Sequence, residues 1–177
     1  MAFALENLEE IASKVDGVGL LRLEHMITQF GMHPAKLIRE GRKDEYVKLL
    51  LDGIRQIAQA LNPKPVWIRT LDVRTDEFRN MEGGEEEPTE SNPMLGWHGI
   101  RRSLSEIELL KSEFEAVKQL HSEGLTNVHI MIPFVVSVDE LKKAKEIAKD
   151  TLPETAKLGI MVETPAAALM IEDFCKE

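Results

Sequence analysis

Short apolar runs alternate with stretches of helical periodicity along this 177-residue chain. The apolar runs cover residues 18–23, 66–73, 128–135 and 159–162. Between the runs, apolar residues recur every three or four positions, which is the spacing of helices that bury one face. Strands that alternate with helices through short loops form parallel sheets with right-handed crossovers. This order of elements predicts an α/β fold, and we interpret residues 1–177 as one domain.

Caps and helix breakers mark the boundaries of the predicted helices. Ser137 and Glu140 have the spacing of a capping box, and Gly124 is placed to end the helix before it. The predicted helices cover residues 5–15, 44–61, 107–121, 137–148 and 166–176.

Three charged residues stand at the ends of apolar runs, where a buried parallel strand normally has apolar residues. Arg22 and Arg69 are cations, and Glu163 is a carboxylate. A charge is costly to bury unless it is paired or holds a metal. Two cations and a carboxylate at strand ends therefore suggest a site for a metal ion and a multiply charged anion.

The same three residues also have a purely structural interpretation. Glu24 and Asp72 follow the two arginines closely in the sequence, and ion pairs with them would simply tie the sheet together. Glu163 would likewise serve as a salt-bridged carboxylate, because structural ion pairs also occur at strand ends. From the residues alone, both interpretations remain open.

Composition narrows the classes of function. The formal net charge of −9 argues against a general nucleic-acid surface. No apolar run reaches the length that spans a bilayer, so no membrane partner is expected. The single cysteine, Cys175, excludes an intrachain disulfide framework and fits a reducing cytoplasm.

One segment, residues 81–92, interrupts the alternation with five glutamates and two glycines. Its composition is typical of a solvated, flexible loop. The segment follows a strand that carries Arg69, so a gating role at a site near that strand end is the alternative interpretation.

Five motifs follow one another along the chain. They are GLLRLEHM at residues 19–26, IRTLD at 68–72, NPMLGWHGIR at 92–101, IMIP at 130–133 and GIMVETPAA at 159–167. Together they resemble the C-terminal barrel of phosphoenolpyruvate-utilising enzymes. The motifs occur in the family's order and cover nearly the whole chain. They are most similar to those of phosphoenolpyruvate synthases, and the barrel is shared by pyruvate phosphate dikinase and by enzyme I of the sugar phosphotransferase system.

The resemblance implies a partial TIM-like (β/α) barrel that contains about five of the family's eight parallel strands, the second to the sixth. It also implies that this chain is a fragment of a larger enzyme. Three parts of the family's enzymes would then lie outside these 177 residues. They are the nucleotide-binding domain, the phosphohistidine domain and the last strands of the barrel. Those strands carry a second metal-binding carboxylate and a cysteine thought to protonate the enolate. Because five strands leave two open sheet edges, we expect homo-oligomers.

The resemblance also assigns roles to individual residues. Arg22 and Arg69 match the arginines that grip the phosphoryl group and the enolate, and Glu163 matches the glutamate that binds Mg²⁺. Arg101 and His98 fall on a substrate-binding motif, although the family often has Arg where this chain has His98. A histidine is charged only part of the time near neutral pH, so a phosphate contact there would depend on pH.

The implied activity is that of a phosphotransferase of the pyruvate, water dikinase type. ATP, pyruvate and water become phosphoenolpyruvate, AMP and phosphate through a phosphohistidine, and the barrel binds pyruvate and phosphoenolpyruvate. Alternatives within the family are the barrels of pyruvate phosphate dikinase and enzyme I. Alternatives of another class are a non-catalytic dimerisation module and a phosphoenolpyruvate-binding module.

Overall fold

The computed structural model describes residues 7–177, and their strands form one parallel sheet. The strands are β1 Val18–Arg22, β2 Val66–Arg69, β3 Val128–Ile132 and β4 Leu158–Ile160, in the spatial order β1-β2-β3-β4. The predicted α/β class is confirmed, and the open sheet is consistent with part of a barrel. Among the described residues, β1 and β4 are the two sheet edges.

Helices connect successive strands, as the periodicity predicts. They are α1 Leu8–Lys14, α2 Glu24–Phe30, α3 Pro34–Arg39, α4 Lys43–Leu61, α5 Gly99–Ser105, α6 Ile107–Ser122, α7 Val138–Thr151, α8 Pro165–Leu169 and α9 Ile171–Phe174. The predicted capping box is present, since the Ser137 side chain accepts from the Glu140 amide and the Glu140 side chain accepts from the Ser137 amide. Leu5 of the first helical stripe lies outside the described residues.

Residues 7–177 contain four strands, one fewer than the estimate of about five. Each strand corresponds to one of the four apolar runs. The long connection between β2 and β3 adds only turns, one isolated bridge and a single 3-10 turn at Pro93–Leu95 before α5. The NPMLGWHG motif therefore forms a loop rather than a strand.

β3 is shorter than predicted because the backbone turns away from the ladder. Pro133 has no N–H to donate, and Phe134 has a φ of 57°, a left-handed conformation that is rare for an aromatic residue. β3 therefore ends at Ile132 rather than at residue 135. The predicted helix over residues 166–176 is likewise divided into α8 and α9 at Met170.

The core lies between one face of the sheet and the helices. Ile68, Ile130 and Ile132 are fully buried on that face, and they pack with the buried stripes of α4 and α6. Residues that alternate with them, such as Trp67 and Met131, are only half-buried on the opposite face. Side chains on a strand alternate between the two faces, so the charged ends of the strands project from the half-buried side.

A glutamate sits within the core stripe of α6. Glu113 is 1% exposed, and its carboxyl contacts the Tyr46 hydroxyl of α4 at 3.2 Å and the Leu71 amide at 3.3 Å. Burial raises the pKa of Glu113 to about 8, although the hydrogen bonds from Leu71 and Tyr46 partly oppose that shift. The helix stripe therefore carries a carboxylic acid that is mostly neutral at pH 7.

None of the helices within residues 7–177 combines the length and the apolar character needed to cross a bilayer.

The raised pKa of Glu113 predicts how stability depends on pH. The folded state disfavours ionisation, so its stabilisation is complete below the ordinary pKa of 4.5 and is lost as pH rises to about 8. Glu113→Gln keeps an acceptor for the Leu71 amide but cannot ionise. Between pH 5 and pH 8, the free energy of unfolding of the wild type should fall relative to that of the variant. The difference should reach several kcal/mol at most, since one pKa unit is worth about 1.4 kcal/mol. Urea denaturation at several pH values measures this difference, and parallel curves for the two proteins would contradict it.

Candidate functional site

Arg22 and Arg69 lie side by side at the C-terminal edge of the sheet. They are direct partners in the parallel register between β1 and β2. Each is the last residue of its strand, so both side chains belong to the same row on the same face. Strand pairing therefore places two guanidinium groups next to each other.

Two carboxylates hold Arg69 in place. Its Nη2 donates to Glu24 Oε1 at 3.0 Å, and its Nη1 contacts Asp72 Oδ2 at 2.7 Å. The side chain of Arg69 is only 11% exposed. Its Nε, and Oε2 of Glu24, are buried with no hydrogen-bond partner among the described residues. The ion pair that the sequence suggested is thus present, and the Nε–H of Arg69 has no partner among the described residues.

Arg22 differs from Arg69 in its surroundings. Its side chain is exposed, and among residues 7–177 no carboxylate lies within ion-pair distance of it. It lies close enough to Asp72 to help hold the pKa of that carboxyl down. The structural interpretation, an ion pair with Glu24, therefore does not describe Arg22.

Both ring nitrogens of His98 face hydrogen-bond acceptors. Nδ1 lies 2.7 Å from Asp72 Oδ1, and Nε2 lies 2.9 Å from the Met94 carbonyl oxygen. A carboxylate and a carbonyl only accept, so both nitrogens donate and the ring is an imidazolium. The residue is 4% exposed, so in this conformation it has no donor left for an anion.

The ionisation of Asp72 and His98 is coupled through that short contact. Burial alone raises the pKa of Asp72, but the His98 hydrogen bond and the charges of Arg69 and Arg22 outweigh it and lower the pKa overall. The hydrogen bond to Asp72 raises the pKa of His98 against the effect of burial. Asp72 is therefore a carboxylate that stays ionised between two cations.

Phe134 links the loop that carries His98 to the end of β3. Its ring centroid lies 4.2 Å from that of His98 and 5.4 Å from the guanidinium carbon of Arg101. Arg101 also donates to the carbonyl oxygens of Leu95 and Gly96 at 2.7 and 2.8 Å. Arg101 thus fastens the loop before α5.

Glu163 follows β4 and contacts the same left-handed residue. Its Oε1 accepts from the Phe134 amide at 2.7 Å, and the side chain is exposed. That bond places Glu163 at the C-terminal edge of the sheet, the edge that carries Arg22 and Arg69. The backbone strain at Phe134 directs its amide toward the carboxylate.

The acidic segment 81–92 is attached to the fold, contrary to the expectation of a solvated loop. Glu87 is 4% exposed in its side chain, with Oε1 2.7 Å from Arg102 Nη1 and 2.8 Å from His33 Nε2. Glu90 accepts from the Trp97 amide at 3.0 Å and from the Thr75 hydroxyl at 2.8 Å. The expectation of a solvated loop fails because composition alone does not reveal which glutamates have buried partners elsewhere in the fold.

The sequence interpretation missed Glu113. It lies three residues after Leu110, on the apolar face of α6, and contacts the amide of Leu71 between Arg69 and Asp72. A charged residue at an apolar position of a helical stripe was the available signal.

A protein-family model, that of the phosphoenolpyruvate-binding domain of phosphoenolpyruvate-utilising enzymes, matches the sequence over residues 4–177. The chain belongs to this family. Similar proteins include the probable phosphoenolpyruvate synthase of Methanothermobacter thermautotrophicus, which is 57% identical over 94% of this chain and 25% of the relative. The phosphoenolpyruvate synthase of Pyrococcus furiosus is 51% identical over 94% of the chain and 21% of the relative. The chain thus spans a quarter or less of the length of these relatives.

Members of a phosphoenolpyruvate-utilising family are expected to bind a divalent metal, and Glu163 fits one ligand of such a site. Within residues 7–177, no three His, Cys, Asp or Glu side chains group to hold a metal by themselves. Mg²⁺ is commonly held by one or two carboxylates together with substrate oxygens and waters. The exposed carboxylate of Glu163 therefore suits a metal that shares its other ligands with a substrate.

For this domain we predict that the pKa values of two histidines are shifted in opposite directions. The pKa of His98 is raised, chiefly by Asp72, whereas burial and the charge of Lys157 lower the pKa of His129. Histidine resonances followed by NMR should show His98 titrating above His129. Asp72→Asn should lower the pKa of His98 and leave that of His129 unchanged. Equal shifts at both rings would contradict the Asp72–His98 contact.

We predict that Glu87 stabilises the attached segment. Glu87→Gln weakens a buried ion pair with Arg102 and should lower the free energy of unfolding by about 3 kcal/mol. Glu85→Gln is the matched control, because Glu85 is exposed in the same segment and should change stability by less than about 0.5 kcal/mol. Urea denaturation compares the two variants, and equal effects would mean that the segment is not held through Glu87.

Proposed function

We propose that this chain, as one domain over residues 1–177, is the phosphoenolpyruvate- and pyruvate-binding part of a phosphoenolpyruvate synthase. The observation that carries the proposal is the register pairing of Arg22 with Arg69 at the sheet edge that also holds Glu163. Guanidinium groups are suited to phosphoryl oxygens because they stay charged and present forked donors. Family membership and the names of the relatives agree with this assignment.

In the proposed site the two arginines have different tasks. Arg22, which is exposed and makes no ion pair within the described residues, binds the phosphoryl group. Arg69 is held by Glu24 and Asp72 and is proposed to serve as a fixed cationic donor to the enolate oxygen. A fixed donor stabilises charge that develops in the transition state without having to reorganise.

Glu163 is the proposed protein ligand of Mg²⁺. Bound there, Mg²⁺ would stabilise the negative charge of the enolate of pyruvate. The Phe134 amide fixes one oxygen of Glu163, so the other is left to face the metal. The proposed overall reaction converts ATP, pyruvate and water to phosphoenolpyruvate, AMP and phosphate. The phosphoryl group would reach this site on a phosphohistidine of another domain, so the 177-residue chain alone should bind ligand without turnover.

The proposed role of His98 is positioning rather than contact with phosphate. Its imidazolium holds Asp72, which in turn orients Arg69. Arg101 is proposed to support substrate binding by fastening the loop at Leu95 and Gly96. A direct contact of His98 with substrate would require the ring to leave both of its present partners.

Other members of the family differ in the acceptor or donor that completes the reaction. Pyruvate phosphate dikinase uses phosphate and enzyme I uses a carrier protein, so an assay of the complete enzyme with water, phosphate or carrier separates these alternatives. A non-catalytic module would bind phosphoenolpyruvate, or dimerise, without turnover in the complete protein. The names of the relatives favour the synthase.

Self-association and a cytoplasmic location remain predictions. The edges β1 and β4 are open among the described residues, and Val162 and Leu169 next to β4 are 53% and 87% exposed. Apolar side chains beside an unpaired strand favour pairing with a second copy. Light scattering should therefore detect dimers or larger species of the 177-residue chain, and a monomer at high concentration would contradict this.

Ligand binding tests the proposed function. Arg22→Gln should weaken the affinity for phosphoenolpyruvate in the presence of Mg²⁺ by about 10- to 100-fold, because charged hydrogen bonds are worth about 1.5–3 kcal/mol. Arg55→Gln removes the same charge from α4, where Arg55 pairs with Glu123, and should change affinity by less than about twofold. In the complete enzyme, Arg69→Gln and Glu163→Gln should each lower turnover by about 10²-fold.

Calorimetry and steady-state kinetics measure these effects. Near-wild-type values for Arg22→Gln, Arg69→Gln and Glu163→Gln together would show that the three residues are structural.

A further inference from the structure

Two acidic side chains accept from successive amides in residues 69–72, the segment that leaves β2. Glu113 of α6 accepts from the Leu71 amide, with its two oxygens at 3.3 and 3.4 Å. Glu24 of α2 accepts from the Asp72 amide at 2.8 Å. The same oxygen of Glu24 also accepts from Arg69. Segment 69–72 is therefore fixed from the core by one acid and from the site by another.

Burying the carboxyl of Glu113 is energetically unfavourable, and apolar packing alone does not explain its position. It is 1% exposed on the apolar face of α6, and burial raises the pKa of its carboxyl to about 8. An apolar side chain at this position would satisfy the core without a desolvation cost. A buried acid that violates the helical pattern indicates a local task, and Glu113 contacts segment 69–72 together with Tyr46.

We propose that Glu113, held by Tyr46, is a positioning residue that fixes segment 69–72 through the Leu71 amide. Removing the acceptor leaves a buried N–H without a partner, and the segment must move to satisfy it. Such a shift alters the direction of Arg69 and the distance from Asp72 to His98. The effect on ligand binding rests on the proposed function, whereas the effect on segment 69–72 does not.

Three variants of the chain separate positioning from general packing. Glu113→Leu removes the acceptor, and Glu113→Gln restores one. Val117→Ala deletes buried atoms one turn further along α6, where the residue is fully buried, and serves as the control for lost stability. The groups that face Glu113 are the Tyr46 hydroxyl, the Leu71 amide and, at longer range, the carboxylate of Glu24.

Amide hydrogen exchange followed by NMR tests directly whether Glu113 protects the Leu71 amide. In Glu113→Leu the amide of Leu71 should exchange at least tenfold faster than in Val117→Ala, and that of Asp72 should follow it. In Glu113→Gln both amides should exchange within about threefold of the wild type. Equal exchange of the Leu71 amide in Glu113→Leu and Val117→Ala would overturn the proposal.

A second measurement applies when Glu113→Leu does not fold. The Leu71 amide proton of the wild type should shift with a midpoint near pH 8, following the pKa of Glu113 at about 8. The same proton should not titrate there in Glu113→Gln. If the chemical shift of the Leu71 amide proton does not change as Glu113 ionises, the proposal is overturned without reference to any other variant.

Ligand binding then separates this inference from the proposed function. With phosphoenolpyruvate and Mg²⁺, Glu113→Leu should bind at least fivefold more weakly than Val117→Ala, and Glu113→Gln should restore wild-type affinity. A wild type that binds no phosphoenolpyruvate would refute the proposed function and leave the exchange result to decide the role of Glu113. A wild type that binds, with Glu113→Leu equal to Val117→Ala, would overturn the effect of Glu113 on the site.

Discussion

The arrangement of the site depends on the ion pair between Arg69 and Asp72. Asp72 is a mostly buried carboxylate that contacts Arg69 on one side and His98 on the other. Because both partners are cations, Asp72 stays ionised in spite of burial, and its pKa is lowered. A buried charge that loses one partner is strongly destabilised, so the three side chains constrain one another. β2, the segment after it and the loop before α5 are joined at this carboxylate.

Pairing between neighbouring strands then brings the other groups to the same edge. Parallel register places Arg22 beside Arg69, and the left-handed residue Phe134 after β3 donates its amide to Glu163 after β4. Each side chain is thus placed by the backbone of a neighbouring strand. The C-terminal edge of a parallel sheet is also where barrel enzymes assemble their sites, since the loops that follow the strands meet there.

Sequence reasoning located those features that depend on local pattern. The four apolar runs became the four strands, and the Ser137–Glu140 capping box formed as its spacing indicates. It failed where distant contacts decide the outcome. The burial of Glu87 depends on Arg102 and His33, the latter 54 residues away, and the role of Glu113 depends on a contact 42 residues away. A single sequence specifies neither partner, so the acidic segment was misjudged and the buried acid was overlooked.

The most direct test of the central claim is a crystal structure of the complete protein with phosphoenolpyruvate and Mn²⁺ in place of Mg²⁺. The account predicts an anomalous Mn²⁺ peak about 2.2 Å from a carboxylate oxygen of Glu163, with phosphoryl oxygens within hydrogen-bond distance of Arg22 and Arg69. A ligand that binds elsewhere, or a metal that leaves Glu163 without contact, would contradict the assignment of this sheet edge as the phosphoenolpyruvate site.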